Sequence, residues 1–111
     1  MKKQCIIKSA GAQTRVSNLI VSQINSAVSF FSNPPVARIE SKTEFYTTIV
    51  VEETYIMTFS VIDTIREVAE KFKAKYEGCY YIMSTRPYLA SDGETWLHHP
   101  VFEINLKRYE K

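Results

Sequence analysis

Residues 101–107 read Val-Phe-Glu-Ile-Asn-Leu-Lys, and this stretch decides the fold class. Apolar side chains at Phe102, Ile104 and Leu106 alternate with polar ones. Successive side chains of a β-strand point to opposite faces of its sheet, so the pattern predicts a strand with one buried face and one wet face. We expect this strand to run from Val101 to about Tyr109, in an antiparallel sheet that is covered on one side.

Further strands are predicted upstream from short apolar or β-branched runs. Residues 45–51 have the strongest strand composition. Weak turn signals between residues 36 and 60 leave two or three strands open there, with turns near Ser41-Lys42 and Glu52-Glu53. The remaining predicted strands are Cys5–Ser9, Tyr55–Phe59 and Cys79–Met83.

Two amphipathic helices are predicted between the strands. The first follows a Thr14 N-cap, has its apolar stripe from Val16 to Phe31, and ends before Pro34. The second begins near Ser60 or Val61 and ends at Gly78. The expected order is β-α-β-β-(β)-α-β-β, a single α+β domain over residues 1–111 with two helices on one face of a mainly antiparallel sheet of about 4–6 strands.

Composition narrows the function classes. A net charge of +2 is too small and too dispersed for direct DNA binding. No apolar run approaches the ~20 residues of a membrane span, and no signal-peptide core follows Met1. Cys5 and Cys79 each lie in an apolar run and are expected to be buried, although a disulfide between them stays open. We therefore expect a cytoplasmic protein that needs no cofactor.

No catalytic or metal-binding motif stands out. His98 and His99 are adjacent, so on a strand their rings point to opposite faces and do not share a metal ion. Glu52 and Glu53 are separated in the same way, and there is no glycine-rich phosphate loop. These patterns predict a binding protein rather than an enzyme, with no catalytic residue and no metal ligand assigned.

The first candidate binding segment precedes the first helix. Small residues between a strand and a helix N-terminus let an anion approach free backbone N–H groups. The side chains that could add donors are Lys8, Ser9, Thr14 and Arg15. The competing interpretation is an ordinary strand–helix loop with its N-cap.

The second candidate segment, Ser84–Trp96, is expected to be a long hairpin loop. Arg86 suits a phosphate, Tyr88 and Trp96 could stack on a base, and Asp92 could accept from a ribose hydroxyl. The competing interpretation is a structural hairpin tip. Arg108 shares register parity with the buried face of its strand, so it would need an anionic partner.

This layout resembles the phage Thoeris anti-defence protein 1 family. The resemblance rests on Lys8, Ser9 and Arg15 in the first segment and on Arg86, Asp92 and Arg108 towards the C-terminus. It implies a non-catalytic sponge that sequesters a cyclic nucleotide immune signal, either a cyclic ADP-ribose isomer or a cyclic oligonucleotide. It also implies a homodimer or larger homo-oligomer in the host cytoplasm.

Two other function classes remain open. A protein-interaction inhibitor of a bacterial defence complex such as CRISPR would present an exposed aromatic or acidic patch and no pocket. A small nucleotide phosphodiesterase would use His98 or His99 as a general base. Intact recovery of the ligand would separate a sponge from the phosphodiesterase.

Overall fold

The structure is a computed structural model that describes residues 4–52 and 58–109. These residues form two helices and a four-stranded antiparallel sheet, which confirms the predicted α+β class. In chain order the elements are α1 (Ala10–Val28), β1 (Val36–Lys42), β2 (Tyr46–Glu52), α2 (Phe59–Lys75), β3 (Cys79–Leu89) and β4 (Trp96–Lys107).

The strands lie side by side in the order β1-β2-β4-β3. The alternation that predicted β4 is confirmed, because Phe102, Ile104 and Leu106 are buried in the core. Both helices pack against this face of the sheet, with apolar stripes that repeat every three or four residues. The opposite side of the sheet, called the open face below, has none of the described helices on it.

Helix α1 begins earlier than the sequence predicts. Its N-cap is Ser9, whose Oγ accepts a hydrogen bond from the Ala12 backbone N–H at 3.1 Å. The predicted Thr14 N-cap is therefore wrong, and Gly11 lies inside the first turn of the helix. Ser9 is the N-cap because its extended backbone lets the hydroxyl reach an N–H group of the first turn that has no partner within the helix.

Helix α2 also begins slightly earlier than predicted. Thr58 is its N-cap and accepts from the Val61 N–H at 3.3 Å, so the helix starts at Phe59. Phe59 therefore does not belong to the predicted strand Tyr55–Phe59, of which residues 55–57 lie outside the described residues, as does Glu53 of the predicted Glu52-Glu53 turn. Among the described residues, no helix is long and apolar enough to cross a membrane.

The predicted first strand, Cys5–Ser9, forms no ladder with the sheet. Cys5 makes only an isolated parallel bridge with Tyr76, where its N–H donates to Lys75 O at 2.8 Å. Ile7 O accepts from the Tyr109 N–H at 2.7 Å. The short apolar run thus satisfies its backbone at the end of α2 and at the C-terminal tail, which is why it does not extend the sheet.

The predicted hairpin loop Ser84–Trp96 is mostly strand. β3 and β4 stay paired as far as Leu89 and Trp96, and Ala90 N–H donates to Thr95 O at 2.8 Å to close the turn. Gly93 has a φ of +76°, which the tight turn requires. Polar composition predicted a loop, but cross-strand pairing extends the ladder through these residues.

Candidate functional site

A group of charged side chains covers the middle of the open face. Arg86 Nη2 on β3 donates to Glu40 Oε1 on β1 at 2.8 Å and to Glu103 Oε1 on β4 at 3.3 Å. Glu40 lies at the register shift between Ile39 and Ser41, where it has no partner residue on β2. The group, called the open-face cluster, consists of Arg38, Glu40, Glu52, Arg86, His99 and Glu103.

The electrostatics of the open-face cluster favour its charged forms. The hydrogen bond from Arg86 lowers the pKa of Glu40, and Glu40 in turn raises the pKa of Arg86. Burial raises the pKa of Glu52, but hydrogen bonds from Arg38 and His99 outweigh it and the net shift is downward. Arg86 is therefore neutralised by carboxylates of the chain, and a phosphate would have to displace Glu40 to reach it.

The other predicted residues of the second segment lie along the β3–β4 hairpin beyond the helices. Asp92 closes the turn: it accepts from the Glu94 and Thr95 N–H groups at 2.8 and 2.9 Å and from Thr95 Oγ1 at 2.6 Å. The hydrogen bonds from Thr95 and Glu94 lower the pKa of Asp92 to about 2. Tyr88 packs beside His99, with ring centroids 5.2 Å apart, while Trp96 is 65% exposed.

The residues of the first segment belong to the start of α1. Ser9 is occupied as the N-cap, and Thr14 Oγ1 accepts from the Lys42 ammonium. Lys8 and Arg15 are exposed, and neither forms an ion pair within the described residues. The segment is therefore a helix start with two uncompensated cations rather than a loop.

A groove opens where β4 leaves the sheet. It has a volume of about 410 Å³. The backbone N–H of Arg108 donates to the backbone Phe45 O at 2.7 Å. The Arg108 guanidinium lies 5.9 Å from the centre of the Phe45 ring. Arg108 Nε is buried and finds no acceptor among the described residues. The groove, called the basic groove, is lined by Phe45, Tyr46, Lys107, Arg108 and Tyr109.

The two predicted segments do not share one pocket. The first lies at the basic groove, because Ile7, just before Lys8, bonds to Tyr109. Trp96 and Lys107 are the two ends of β4, which at ~3.3 Å per residue lie roughly 36 Å apart. The structure thus brings Lys8 and Ser9 to the same end of the sheet as Arg108, and leaves Trp96 and the turn at Asp92 at the other end.

Sequence reasoning missed most of the basic groove. Of its lining only Arg108 was singled out, whereas Phe45 and Tyr46 were assigned to a strand and Tyr109 to a strand end. The available signal was the run Lys107-Arg108-Tyr109, where the apolar alternation of β4 stops and two cations adjoin an aromatic ring. Its partner Phe45 is distant in sequence, so no local pattern joins them.

The two histidines differ in their exposure, and so do the two cysteines. His98 is exposed, while His99 is half-buried with Nε2 3.4 Å from Glu52 Oε2. Within residues 4–52 and 58–109, no three His, Cys, Asp or Glu side chains are grouped closely enough to hold a metal ion. Cys5 and Cys79 are free thiols; Cys5 is exposed, against expectation, because the run around it forms no strand, whereas burial raises the pKa of Cys79 to about 11.

Comparison of the chain with known proteins assigns it to no family: no family model, curated protein or solved structure matches it. Two regions stand out, the basic groove at one end of β4 and the exposed hairpin at the other.

Proposed function

We propose that the chain is a non-catalytic binding protein that takes a nucleotide-like ligand in the basic groove. The observation that carries the proposal is Arg108, whose guanidinium lies over Phe45 with a buried Nε that has no acceptor among the described residues. A buried donor without an acceptor costs free energy, and an anionic ligand that supplies the acceptor would recover it.

The lining of the basic groove fits a ligand that is both flat and anionic. Phe45, Tyr46 and Tyr109 offer ring faces for a base, and Lys107 and Arg108 offer cations for phosphate. Lys8 lies in the segment that bonds to Tyr109 and would add positive charge. The volume of the basic groove is within the range of small-molecule sites. A cyclic ADP-ribose isomer or a cyclic oligonucleotide is therefore the proposed ligand class.

The centre of the proposed site is Arg108 rather than Arg86. That residue is already paired with Glu40 and Glu103, so a phosphate there would meet two carboxylates at close range. Arg108 has no ion pair within the part of the chain that the structure describes. Sequestration of a cyclic nucleotide immune signal, as in the resemblance described above, would then depend on Arg108 and Lys107.

Isothermal titration against cyclic ADP-ribose isomers and cyclic di- and trinucleotides tests the proposal. We expect Arg108→Ala to weaken binding by at least about tenfold, because a charge-assisted hydrogen bond contributes roughly 1.5–3 kcal/mol. The matched control is Arg66→Ala, which removes an exposed arginine of α2 that pairs with Asp63. Chromatography of the ligand after long incubation should recover it intact.

Three outcomes would contradict the proposal. If none of these nucleotides binds, the ligand class is refuted. Equal loss of binding in Arg108→Ala and Arg66→Ala would refute the site. A cleaved ligand would refute the non-catalytic role and favour a phosphodiesterase.

A second candidate function is supported by the exposed hairpin. Trp96 is 65% exposed beside Leu97 and near Leu89, which are both more than 40% exposed. Exposed aromatic and aliphatic side chains at a hairpin tip are typical anchors of protein interfaces. An inhibitor of a bacterial defence complex would use this tip, and Trp96→Ser should abolish capture of its target from host lysate. Capture that survives Trp96→Ser would contradict this use of the tip.

A further inference from the structure

Strand β3 is an edge of the sheet, and the register shows which of its backbone groups face outward. Lys107 N–H donates to Gly78 O at 3.1 Å, and Ala90 N–H donates to Thr95 O at 2.8 Å. In an antiparallel ladder every second residue bonds to the neighbouring strand. The even-numbered residues of β3 therefore face β4, and the odd-numbered ones direct their N–H and C=O groups to the free edge.

The outward groups are available over a short central stretch. Tyr81, Met83 and Thr85 have N–H groups with no acceptor among the described residues. The stretch is bounded on one side by Cys79, whose N–H donates to Tyr76 O at 3.4 Å, and on the other by Pro87, which has no N–H. Met83 lies at its centre.

The side chains of the same stretch lack the features that usually protect an edge. Natural sheets blunt edges with lysines, prolines, bulges or short strands, and the edge proline of β3, Pro87, lies outside this stretch. β3 has eleven residues, pairs with β4 without a register shift, and carries Arg86 as its one charged residue. Tyr80, Ile82 and Met83 are each more than 40% exposed.

We infer that β3 pairs antiparallel with β3 of a second copy of this chain, about a two-fold axis at Met83. Tyr81 then pairs with Thr85 of the partner subunit, and Met83 pairs with its own counterpart. Each outward N–H of the stretch gains a C=O acceptor, and the two sheets become one continuous sheet. This inference is independent of the proposed ligand.

The pairing is complementary on the open face as well as along the backbone. Arg86 comes opposite Tyr80 of the partner subunit, and its guanidinium is directed back across the sheet to Glu40 and Glu103, so no like charges meet at the edge. Ile82 comes opposite Ser84 of the partner subunit. A second copy therefore fits this edge without placing two arginines together.

The chain also selects this register over its neighbours. Sliding the strands so that Tyr81 faces Pro87 of the partner subunit leaves the Tyr81 C=O without a donor, because proline has no N–H. Sliding them the other way brings Thr85 against Cys79, whose N–H is already engaged. Only the register centred at Met83 gives an acceptor to every N–H and a donor to every C=O of Tyr81, Met83 and Thr85.

Sedimentation velocity over a range of protein concentrations tests the dimer. Because edge pairing buries a modest area, we expect a concentration-dependent dimer with a Kd in the roughly micromolar range. Met83→Lys would set two ammonium groups against each other at the axis and raise the Kd by at least about tenfold. Val36→Lys, at an exposed apolar position on the opposite edge, is the matched control and should dimerise like the wild type.

Two results would overturn the inference. One is a wild-type protein that stays monomeric at its highest soluble concentration. The other is a dimer that Met83→Lys leaves intact. Unfolding curves of Met83→Lys and Val36→Lys separate loss of pairing from loss of fold, since both side chains are exposed.

Disulfide trapping tests the register. In a Cys5→Ser background, Ile82→Cys mixed with Ser84→Cys should form an oxidised dimer, because these residues form a non-hydrogen-bonded pair with Cα atoms ~4.5 Å apart. Each variant alone should trap poorly. Efficient trapping of Ile82→Cys alone would overturn the Met83 register in favour of one centred at Ile82.

Discussion

The two edges of the sheet are built in opposite ways. β1 is closed at Ala37: the side chain of Asn25 on α1 accepts from the Ala37 N–H at 2.8 Å and donates to Ala37 O at 3.2 Å. Charges at Arg38 and Glu40 and a bulge between Ile39 and Ser41 protect it further. β3 has none of these features between Tyr81 and Thr85, so the molecule protects one edge and leaves the other available for pairing.

The number of open edges determines how copies of the domain can associate. A sheet with two open edges can add chains at both ends and form fibres, whereas one open edge closes as a dimer. Asn25 caps β1 because α1 runs close to that strand, whereas nothing among the described residues bonds to the outward groups of β3 between Tyr81 and Thr85. The position of the helices therefore decides which edge is closed.

The largest expected effect comes from opening the protected edge. Asn25→Ala leaves the buried Ala37 N–H and C=O without their partners, so we expect a loss of about 1–3 kcal/mol in the free energy of unfolding. Urea unfolding measures it. Asn18→Ala, at an exposed position of the same helix, should change it by less than about 0.5 kcal/mol. Equal midpoints for the two variants would show that Asn25 does not close the edge.

An intermediate effect is expected where the two edge strands are joined across the open face. Arg86→Leu removes the cation between Glu40 and Glu103, and we expect the free energy of unfolding at neutral pH to fall by about 1 kcal/mol. The exposed Arg66–Asp63 pair provides the control variant Arg66→Leu, which should have a smaller effect.

The pH dependence of that variant follows from Glu40. Arg86 lowers the pKa of Glu40 in the folded state below 4.5, so the stabilisation is present above 4.5 and is lost as the pH falls through the folded value. The difference between wild type and Arg86→Leu should therefore shrink in acid. Unfolding measured at neutral pH and well below 4.5 tests this, and a difference that grows in acid would contradict the assigned pair.

The smallest effect is expected at the boundary of the open edge. Pro87→Ala adds an outward N–H beside the stretch Tyr81–Thr85 without touching the ladder to β4. We expect the dimer Kd to fall at least several-fold, since each copy adds one hydrogen bond and a net hydrogen bond contributes roughly 0.5–1.5 kcal/mol. Sedimentation equilibrium measures it. A Kd that rises would show that Pro87 supports the pairing instead of limiting it.

Local periodicity predicted the parts of the fold that depend on neighbours in sequence. The alternation at Phe102, Ile104 and Leu106 and the helical stripes were confirmed by burial. The errors fell where distant partners decide the backbone hydrogen bonds. Cys5 bonds to the end of α2, and Arg86 lies within a ladder opposite His99, although both were assigned from composition.

The candidate site shows the same division. Arg108 was singled out because its parity predicted burial, and it lines the basic groove. Its partner Phe45 lies far away in sequence and joins it through the pairing of β2 with β4. Asp92 was proposed to bind a ribose, whereas in the structure it accepts three hydrogen bonds from its own turn.

Periodicity in the chain was enough for the α+β class and for the apolar stripes that build the core, because burial follows the spacing of apolar side chains. The closed and open edges, the separation of Arg86 from Arg108 and the composition of the basic groove depend on strand order and register. Strand order and register depend on contacts between residues dozens of positions apart, and a local sequence pattern does not predict such contacts.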